Sequence, residues 1–322
     1  MKCEKIRVAA FGDNGHQIIS ELADHPLATL VAVSAVREDR LAGLANAANI
    51  RRCESFDDLL ADPDVDLISL CSPRRRDQAH QAIAAMRAGK CVYAEKPCAM
   101  SESDLDAIIE TSRRTGRLFH EMAGTAFDQP YLSMRQVVAS GQIGEVVQVL
   151  VQKSYPLHDR RPGDEDIDGG LLMQVGVHAA RMIEHVAGVR VAQARAIETT
   201  LGNGGRGRLR IAAGMQMTLE NGGIASLICN YLNPPTFGKW GNEMLRIFGT
   251  GGFVESTDGG VRTRLVTSQK DFGPLNTDAP AIQYHDMFFD EMLGRSPMPM
   301  NLDAELHPTR VVIRAKASAC EP

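Results

Sequence analysis

Apolar positions fall along this chain in two rhythms. Up to about residue 123 they come as short unbroken runs: IRVAAF at 6–11, TLVAVSA at 29–35, LISLC at 67–71, CVYA at 91–94 and LFHE at 118–121. Val, Ile, Leu and Ala without polar alternation suit strands buried on both faces. Between the runs the spacing turns helical. In DQAHQAIAAMRAGK, Ala79, Ala82, Ile83 and Met86 share a face, with Asp77 as N-cap and Gly89 as stop. In SESDLDAIIETSRRTG, Ser101 and Asp104 make a capping-box pattern. Leu105, Ile108, Ile109 and Ser112 line a stripe, Arg113 and Arg114 suit the negative end of the helix dipole, and Gly116 closes it. A further helix is expected at about 15–23. This alternation predicts a doubly wound parallel sheet with right-handed crossovers.

After about residue 124 the runs lengthen and alternate: EVVQVLVQKSY, AGMQMTLE and IASLICNYL, with Asn221-Gly222 and Asp258-Gly259 as hairpin turns. One helix is expected at about 171–186, and a helix-like run ends the sequence. The pattern predicts an α/β chain with a dinucleotide-binding domain at 1–123 and an α+β domain at 124–322 built on a large open, mainly antiparallel sheet. Such a sheet needs a cover, so a homodimer or homotetramer is expected.

Composition narrows the function. With 322 residues and 44% apolar content the chain can bury two cores. Its net charge of −5, without a long basic run, argues against nucleic acid as a partner. No apolar stretch approaches a membrane span. MKCEKIRVAA enters a strand with no signal-like apolar region, so the expected location is cytoplasmic. Seven cysteines, at 3, 53, 71, 91, 98, 229 and 320, lack CxxC spacing and read as buried thiols of a reducing compartment. No Cys/His cluster has zinc-ligand spacing, so no metal is expected.

The candidate chemistry gathers at the ends of the early strands. The first ends in Gly-Asp-Asn-Gly-His-Gln, where a dinucleotide fold places Gly-x-Gly-x-x-Gly. Gly12 fills the tight-turn position, Asn14 the second glycine and Gln17 the third, with Gly15 one place late. Gln17 would hold the helix away from the strand or point outward. At the end of the second run, Ser34 and Ala35 stand where a ribose-binding carboxylate belongs, and Arg37 follows, a pattern that favours NADP over NAD. In Cys71-Ser72-Pro73-Arg74-Arg75-Arg76, Pro73 forces an extended bend. Three cations then precede a helix, which suits either an anion of cofactor or substrate or a solvated cluster paired with Asp77. Finally Glu95-Lys96-Pro97 follows a strand. A lysine partly desolvated there can share a proton with a substrate hydroxyl.

Taken together, the loop at Gly12, CSP at 71–73, AGKCVYAEKP at 88–97, GQIGEVVQV at 141–149, GGLLMQVGVHAARMIEHVAG at 169–188 and RIFGTGGFVES at 246–256 resemble the Gfo/Idh/MocA oxidoreductase family over nearly the whole chain. The resemblance implies a Rossmann domain, a second domain with an open sheet, and NAD- or NADP-linked hydride transfer on a small polyhydroxy substrate such as a sugar, cyclitol or sugar acid. It implies that Lys96 contacts the reacting hydroxyl. It also implies that a Gly-Gly-x-x-x-Asp-x-x-x-His motif supplies an acid–base pair. Here that motif carries Gly169, Gly170, Gln174 and His178. Gln174 and His178 share a helix face, and Gln174 cannot take a proton. Arg181 stands at a later position that is often acidic in the family, and Asp77 and Gln78 lie where a histidine is usual. Lys153, Tyr155 and His158 are candidate substrate contacts, and the charged loop that follows, to 166, reads as either a substrate loop or a mutual salt-bridge network. His120 and Glu121 could lie beside the nicotinamide. Two other readings stay open: a cofactor-recycling enzyme that cleaves glycosides, and a binding or regulatory protein with a degraded cofactor site.

Overall fold

The computed structural model describes residues 5–319, so Cys3 and Cys320 lie outside them. The chain forms two compact units. The first comprises Met1–Met122, Asp166–Asp168 and Tyr284–Leu306, and the second Ala123–Glu165, Gly169–Gln283 and His307–Pro322.

The first unit holds six parallel strands: β1 (Ile6–Phe11), β2 (Ala28–Ser34), β3 (Arg51–Arg52), β4 (Leu67–Leu70), β5 (Cys91–Ala94) and β6 (Phe119–Glu121), in the order β3-β2-β1-β4-β5-β6. Strands β4 and β5 are buried throughout, which is why they read as unbroken apolar runs. The strand order reverses between β1 and β4, which opens a crevice beyond their carboxyl ends, where folds of this kind bind ligands. Helices α1 (Phe56–Ala61), α2 (Gln78–Arg87) and α3 (Glu102–Thr115) connect the strands. Ser101 Oγ accepts the Asp104 amide at the start of α3, and Gly116 ends it at φ 66°. On α3, Thr111 is buried with Leu105, Ile108 and Ile109, while Ser112 is only half-buried and bonds the Arg117 carbonyl. Asp77 precedes α2 without a side-chain capping bond.

The helix expected at 15–23 is not formed; a single 3-10 turn, Ser20–Leu22, takes its place. Gly15 sits at φ 137°, outside the helical region, and Asp24 at φ 54° turns the chain towards β2. Gln17 does not point outward. It is buried, and its Nε2 donates to the carbonyls of Gly12 at 2.9 Å and Ser69 at 3.1 Å, while its Oε1 accepts from Ser69 Oγ. Apolar spacing suggested a helix, but this side chain pins the segment to the sheet instead.

The second unit is built on β7 (Val146–Ser154), β8 (Val191–Thr199), β9 (Ala212–Leu219), β10 (Ile224–Asn230), β11 (Asn242–Gly249), β12 (Gly252–Thr257), β13 (Arg262–Thr267) and β14 (Asp271–Gly273). They form one sheet in the order β14-β13-β12-β11-β7-β10-β9-β8, antiparallel except for the β7–β10 pair. Asn221-Gly222 joins β9 to β10, and Asp258-Gly259 joins β12 to β13, with φ 54° and 63° at the second pair. One face is covered by α4 (Tyr131–Ala139) and by the long helix over 172–186. That helix is π-wound at Leu172–Gly176 and Met182–Val186 and α-wound at Val177–Arg181 between them. The other face exposes Ile197 and Ile228, both in register with Gly214.

Candidate functional site

In the first unit the strand ends meet in a dense polar knot. Gly12 adopts φ 70°, and a β-carbon there would overlap the Cys71 carbonyl oxygen, so only glycine brings β1 this close to β4. The Asn14 amide donates to that same carbonyl at 3.3 Å. Gly15 lies against the side chain of Glu95, and a β-carbon would come within 2.6 Å of it. Glu95 Oε2 accepts the His16 amide at 2.7 Å and lies 3.0 Å from the His16 ring nitrogen Nδ1. Loop amides are therefore committed within the protein: Gly12 to Ser34, Gly15 to Asp13, and His16 to Glu95.

Glu95 and Lys96 are both buried, with Nζ of Lys96 3.6 Å from Oε1 of Glu95. Burial alone would raise the pKa of Glu95. His16, Lys96 and Arg75 outweigh it and hold the carboxyl well below its ordinary range. Gln78, fully buried at the start of α2, fixes this corner. Its Nε2 donates to the carbonyls of Glu95 at 2.5 Å and Pro97 at 3.1 Å, while its Oε1 accepts the Ser72 amide and Arg75. The second nitrogen of Arg75 donates to the Asn14 carbonyl at 2.6 Å. Sequence alone offered Gln78 only as a missing histidine; its glutamine chemistry, one acceptor and two donors, is what this corner uses.

The three arginines at 74–76 divide. Arg75 turns inward as described. Arg74 and Arg76 pair with Asp166, at 3.3 and 3.0 Å, rather than with Asp77. Arg37 lies 3.2 Å from Asp13 and 3.2 Å from Asp39, beyond the buried end of β2 at Ser34. His120 is locked between Glu305, 2.6 Å from Nδ1, and Glu291, 2.8 Å from Nε2. Both ring nitrogens are thereby occupied, which makes it a structural cation. Glu121 Oε1 accepts the Cys98 amide at 2.7 Å.

His25, His285 and Asp286 also lie close together. The Leu27 amide donates to His25 Nδ1 at 3.1 Å, so Nε2 keeps its proton and faces Asp286 at 2.8 Å, an arrangement that opposes a cation there.

In the second unit, Gln174 and His178 are the half-buried positions of a helical stretch over 171–183 that is otherwise buried. Gln174 Oε1 accepts from Arg161 at 3.0 Å and from the Tyr231 hydroxyl at 3.2 Å. Lys153 is buried and bonded to Glu243 at 2.7 Å, and its Nζ lies 5.3 Å from the centre of the Tyr155 ring. Burial would lower its pKa, but Tyr155 and Glu243 raise it. The His158 ring lies beside Trp240, 5.7 Å between centres, and Tyr155 lies 6.0 Å from the same indole. Burial, then Arg161, Arg160 and Arg206, lower the pKa of His158. Arg161 lies in the charged loop that the sequence offered as a substrate loop, without being singled out there, and Trp240 was missed as a site residue; only the fold brings them to Tyr155.

Six parallel strands in this order, with a left-handed glycine at the first turn, define a dinucleotide-binding fold. Comparison with known proteins agrees. The family model described as "Oxidoreductase family, NAD-binding Rossmann fold" matches residues 6–122, and the "GFO/IDH/MocA C-terminal domain" model matches 131–255. The chain belongs to the Gfo/Idh/MocA oxidoreductase family. It is 33% identical over 162 residues to an uncharacterized oxidoreductase of Rhizobium meliloti, covering 48% of each chain. It is 26% identical over 168 residues to a myo-inositol 2-dehydrogenase of Thermotoga maritima, covering 51% of this chain and 49% of the relative. Each match thus spans about half the length of the relative. A solved structure titled as a putative oxidoreductase from Thermotoga maritima shares the fold, with TM-score 0.86, 24% identity and 97% of both chains covered.

An NAD-type dinucleotide fits this edge unevenly. The crevice beyond the ends of β1 and β4 suits such a ligand. At the diphosphate, the helix N-terminus that usually holds it is absent, and Glu95 already holds the His16 amide.

Proposed function

We propose that this chain is an NAD(P)-linked dehydrogenase acting on a hydroxyl-bearing carbon of a small polyhydroxy substrate, a sugar, cyclitol or sugar acid. The observation that carries the reading is the buried Lys96 at the carboxyl end of β5, held beside Glu95 by the bonds of Gln78 to the carbonyls on either side of it. A cation fixed in this way can donate a hydrogen bond to a reacting oxygen and stabilise negative charge developing there. By its place in the family motif, His178 is the residue of the second unit assigned to take the hydroxyl proton. Gln174, already accepting two hydrogen bonds, contributes orientation and no proton transfer. The bound nicotinamide supplies the hydride acceptor or donor. The inositol dehydrogenase among the relatives supports the substrate class. The missing carboxylate at the end of β2 and the position of Arg37 favour NADP.

A panel of polyols, uronates and glycosides with NADP+ or NAD+, followed at 340 nm, tests the reading. Turnover with at least one polyol or uronate is expected, and Lys96→Ala should abolish it while sparing nucleotide affinity. Unchanged turnover in Lys96→Ala removes the proposed role. Nucleotide binding without turnover on any member of the panel removes the reading.

The binding or regulatory alternative rests on the same loop observation, the engaged amides and absent helix. It predicts no thermal shift with either nucleotide at millimolar concentration.

A further inference from the structure

Arg161 is a buried guanidinium, 8% exposed, whose interactions are all with neutral groups. It donates to Gln174 Oε1 at 3.0 Å, packs on the Tyr231 ring at 3.9 Å from its centre, and lies 5.9 Å from the centre of Tyr155. Its Nε is buried without an acceptor. Among the described residues no carboxylate pairs with it. Buried charges are ordinarily paired, because removing a guanidinium from water without an anion is costly. Of the other cations nearby, Lys153 is paired with Glu243 and Arg206 with Asp159, while Arg160 is exposed to solvent.

Aromatic rings lie beside the same group. The Tyr155 ring centre lies 5.9 Å from the Arg161 guanidinium and 6.0 Å from the Trp240 ring centre, and the His158 ring lies 5.7 Å from Trp240. Trp240 is 58% exposed, unusual for the one tryptophan of the chain. A buried cation beside an exposed indole matches a ligand with one carboxylate and a flat ring face. The carboxylate can take two parallel N–H bonds from a guanidinium, and the ring can lie on the aromatic surface.

We infer that Arg161, with Tyr155 and Trp240, forms the anchor for the carboxylate of a sugar-acid substrate. This deepens the reading of the chain as an oxidoreductase of polyhydroxy compounds and rests on it for the word substrate, but the anchor is tested by binding alone. One unpaired positive charge calls for a monoanion, a carboxylate rather than a dianionic phosphate ester. The arginines at 74–76, prominent in the sequence, do not serve, since Arg74 and Arg76 are paired with Asp166 and Arg75 acts on the buried Glu95 carboxylate.

Trp240 reports on its own neighbourhood, so its fluorescence can be titrated with D-glucuronate, D-glucose and D-glucose 6-phosphate, without nucleotide, in the full chain. Saturable quenching by glucuronate at least tenfold tighter than by glucose is expected. Arg161→Gln should bring the two within twofold, and Arg161→Lys should recover part of the preference. Equal affinity for glucuronate and glucose in the native chain overturns the inference, as does a preference for the 6-phosphate or an Arg161→Gln chain that keeps the glucuronate preference. If Arg161→Gln fails to fold, the native-chain comparison decides alone. Glucuronate binding without nucleotide-linked turnover would leave the anchor standing and remove the dehydrogenase reading. Turnover restricted to neutral polyols would do the reverse.

Discussion

The carboxylate of Glu95 reaches across from the end of β5 to hold the backbone amide of His16 at 2.7 Å. One bond thus ties the first loop of the sheet to the strand end that carries Lys96. The loop is shaped by a side chain of the protein where a helix N-terminus would otherwise face a diphosphate.

If that contact sets the loop, Gly15 cannot carry a side chain. Gly15→Ala would press a methyl within 2.6 Å of Glu95 at φ 137° and should cost roughly 1–3 kcal/mol in urea unfolding. Gly89→Ala is the control: it also has positive φ, at 85°, but meets nothing within 4 Å. Its cost should be limited to the left-handed backbone, roughly 1–2 kcal/mol. Equal losses for the two would mean that the Glu95 contact adds nothing.

Neutralising Glu95 should ease the approach of a dinucleotide. Glu95→Gln keeps an acceptor for the His16 amide and removes the negative charge, so calorimetry should show tighter NADP+ binding than in the native chain. Stability should fall, because Lys96 and Arg75 lose a buried counter-charge. In the native chain the depressed pKa of Glu95 contributes stability above the ordinary value of 4.5, and this is lost as pH falls. The Gln variant should therefore show a weaker acid dependence. Weaker nucleotide binding in it would assign Glu95 a supporting role toward the cofactor.

His120 gives a stability effect of opposite sign. Burial would lower its pKa, but Glu305 and Glu291 raise it to about 9, from the ordinary 6.5. A raised pKa means that the stability is fully present below about 6.5 and is lost as pH rises through about 9. Urea midpoints of the native chain should fall across that window. His120→Gln, which leaves buried carboxylates facing a neutral group, should lose about 3–5 kcal/mol at pH 7 and show little further loss up to pH 9.5.

Gln174 tests the second unit. Gln174→Glu would place a carboxylate on the buried Arg161 through the 3.0 Å contact and provide the anion that the site lacks. A charge-assisted bond of about 1.5–3 kcal/mol should raise the melting temperature. The same change should weaken glucuronate binding at least tenfold, because the guanidinium is then neutralised from within. A variant neither more stable nor weaker in glucuronate binding would count against an unsatisfied charge at Arg161.

Arg37 bears on cofactor choice. It is exposed and held loosely between Asp13 and Asp39, so a 2′-phosphate could recruit it. Arg37→Ala should weaken NADP+ binding about tenfold and leave NAD+ nearly unchanged. Equal effects on both would remove the basis for the NADP preference.

The alternation of strand and helix in the first unit was largely written in the sequence. Unbroken apolar runs, capped helices and Gly116 are local signals, and strands such as Cys91–Ala94 need no distant partner to be recognised. The hairpins at Asn221-Gly222 and Asp258-Gly259 were equally local. Helices α1 and α4 and strands β3, β8 and β11–β14 were not picked out, because their patterns are short, mixed or half-exposed and depend on sheet neighbours. The family motifs named Lys96, Gln174 and His178 by position, since each motif lies within a few residues of chain.

Only tertiary structure decided which polar groups are spent. Gln17 and Gln78 looked like departures from a pattern, but in the fold they are the hydrogen-bonding pins of the strand ends. The arginines at 74–76 looked available until Asp166, some ninety residues away, was seen to hold two of them. Arg161, one of several charges in a loop read only as a whole, is left buried beside neutral partners and Tyr155. The reason is physical. Hydrophobic period and capping are set by neighbours along the chain, whereas the satisfaction of a charge or a hydrogen bond depends on what folding brings to it from elsewhere.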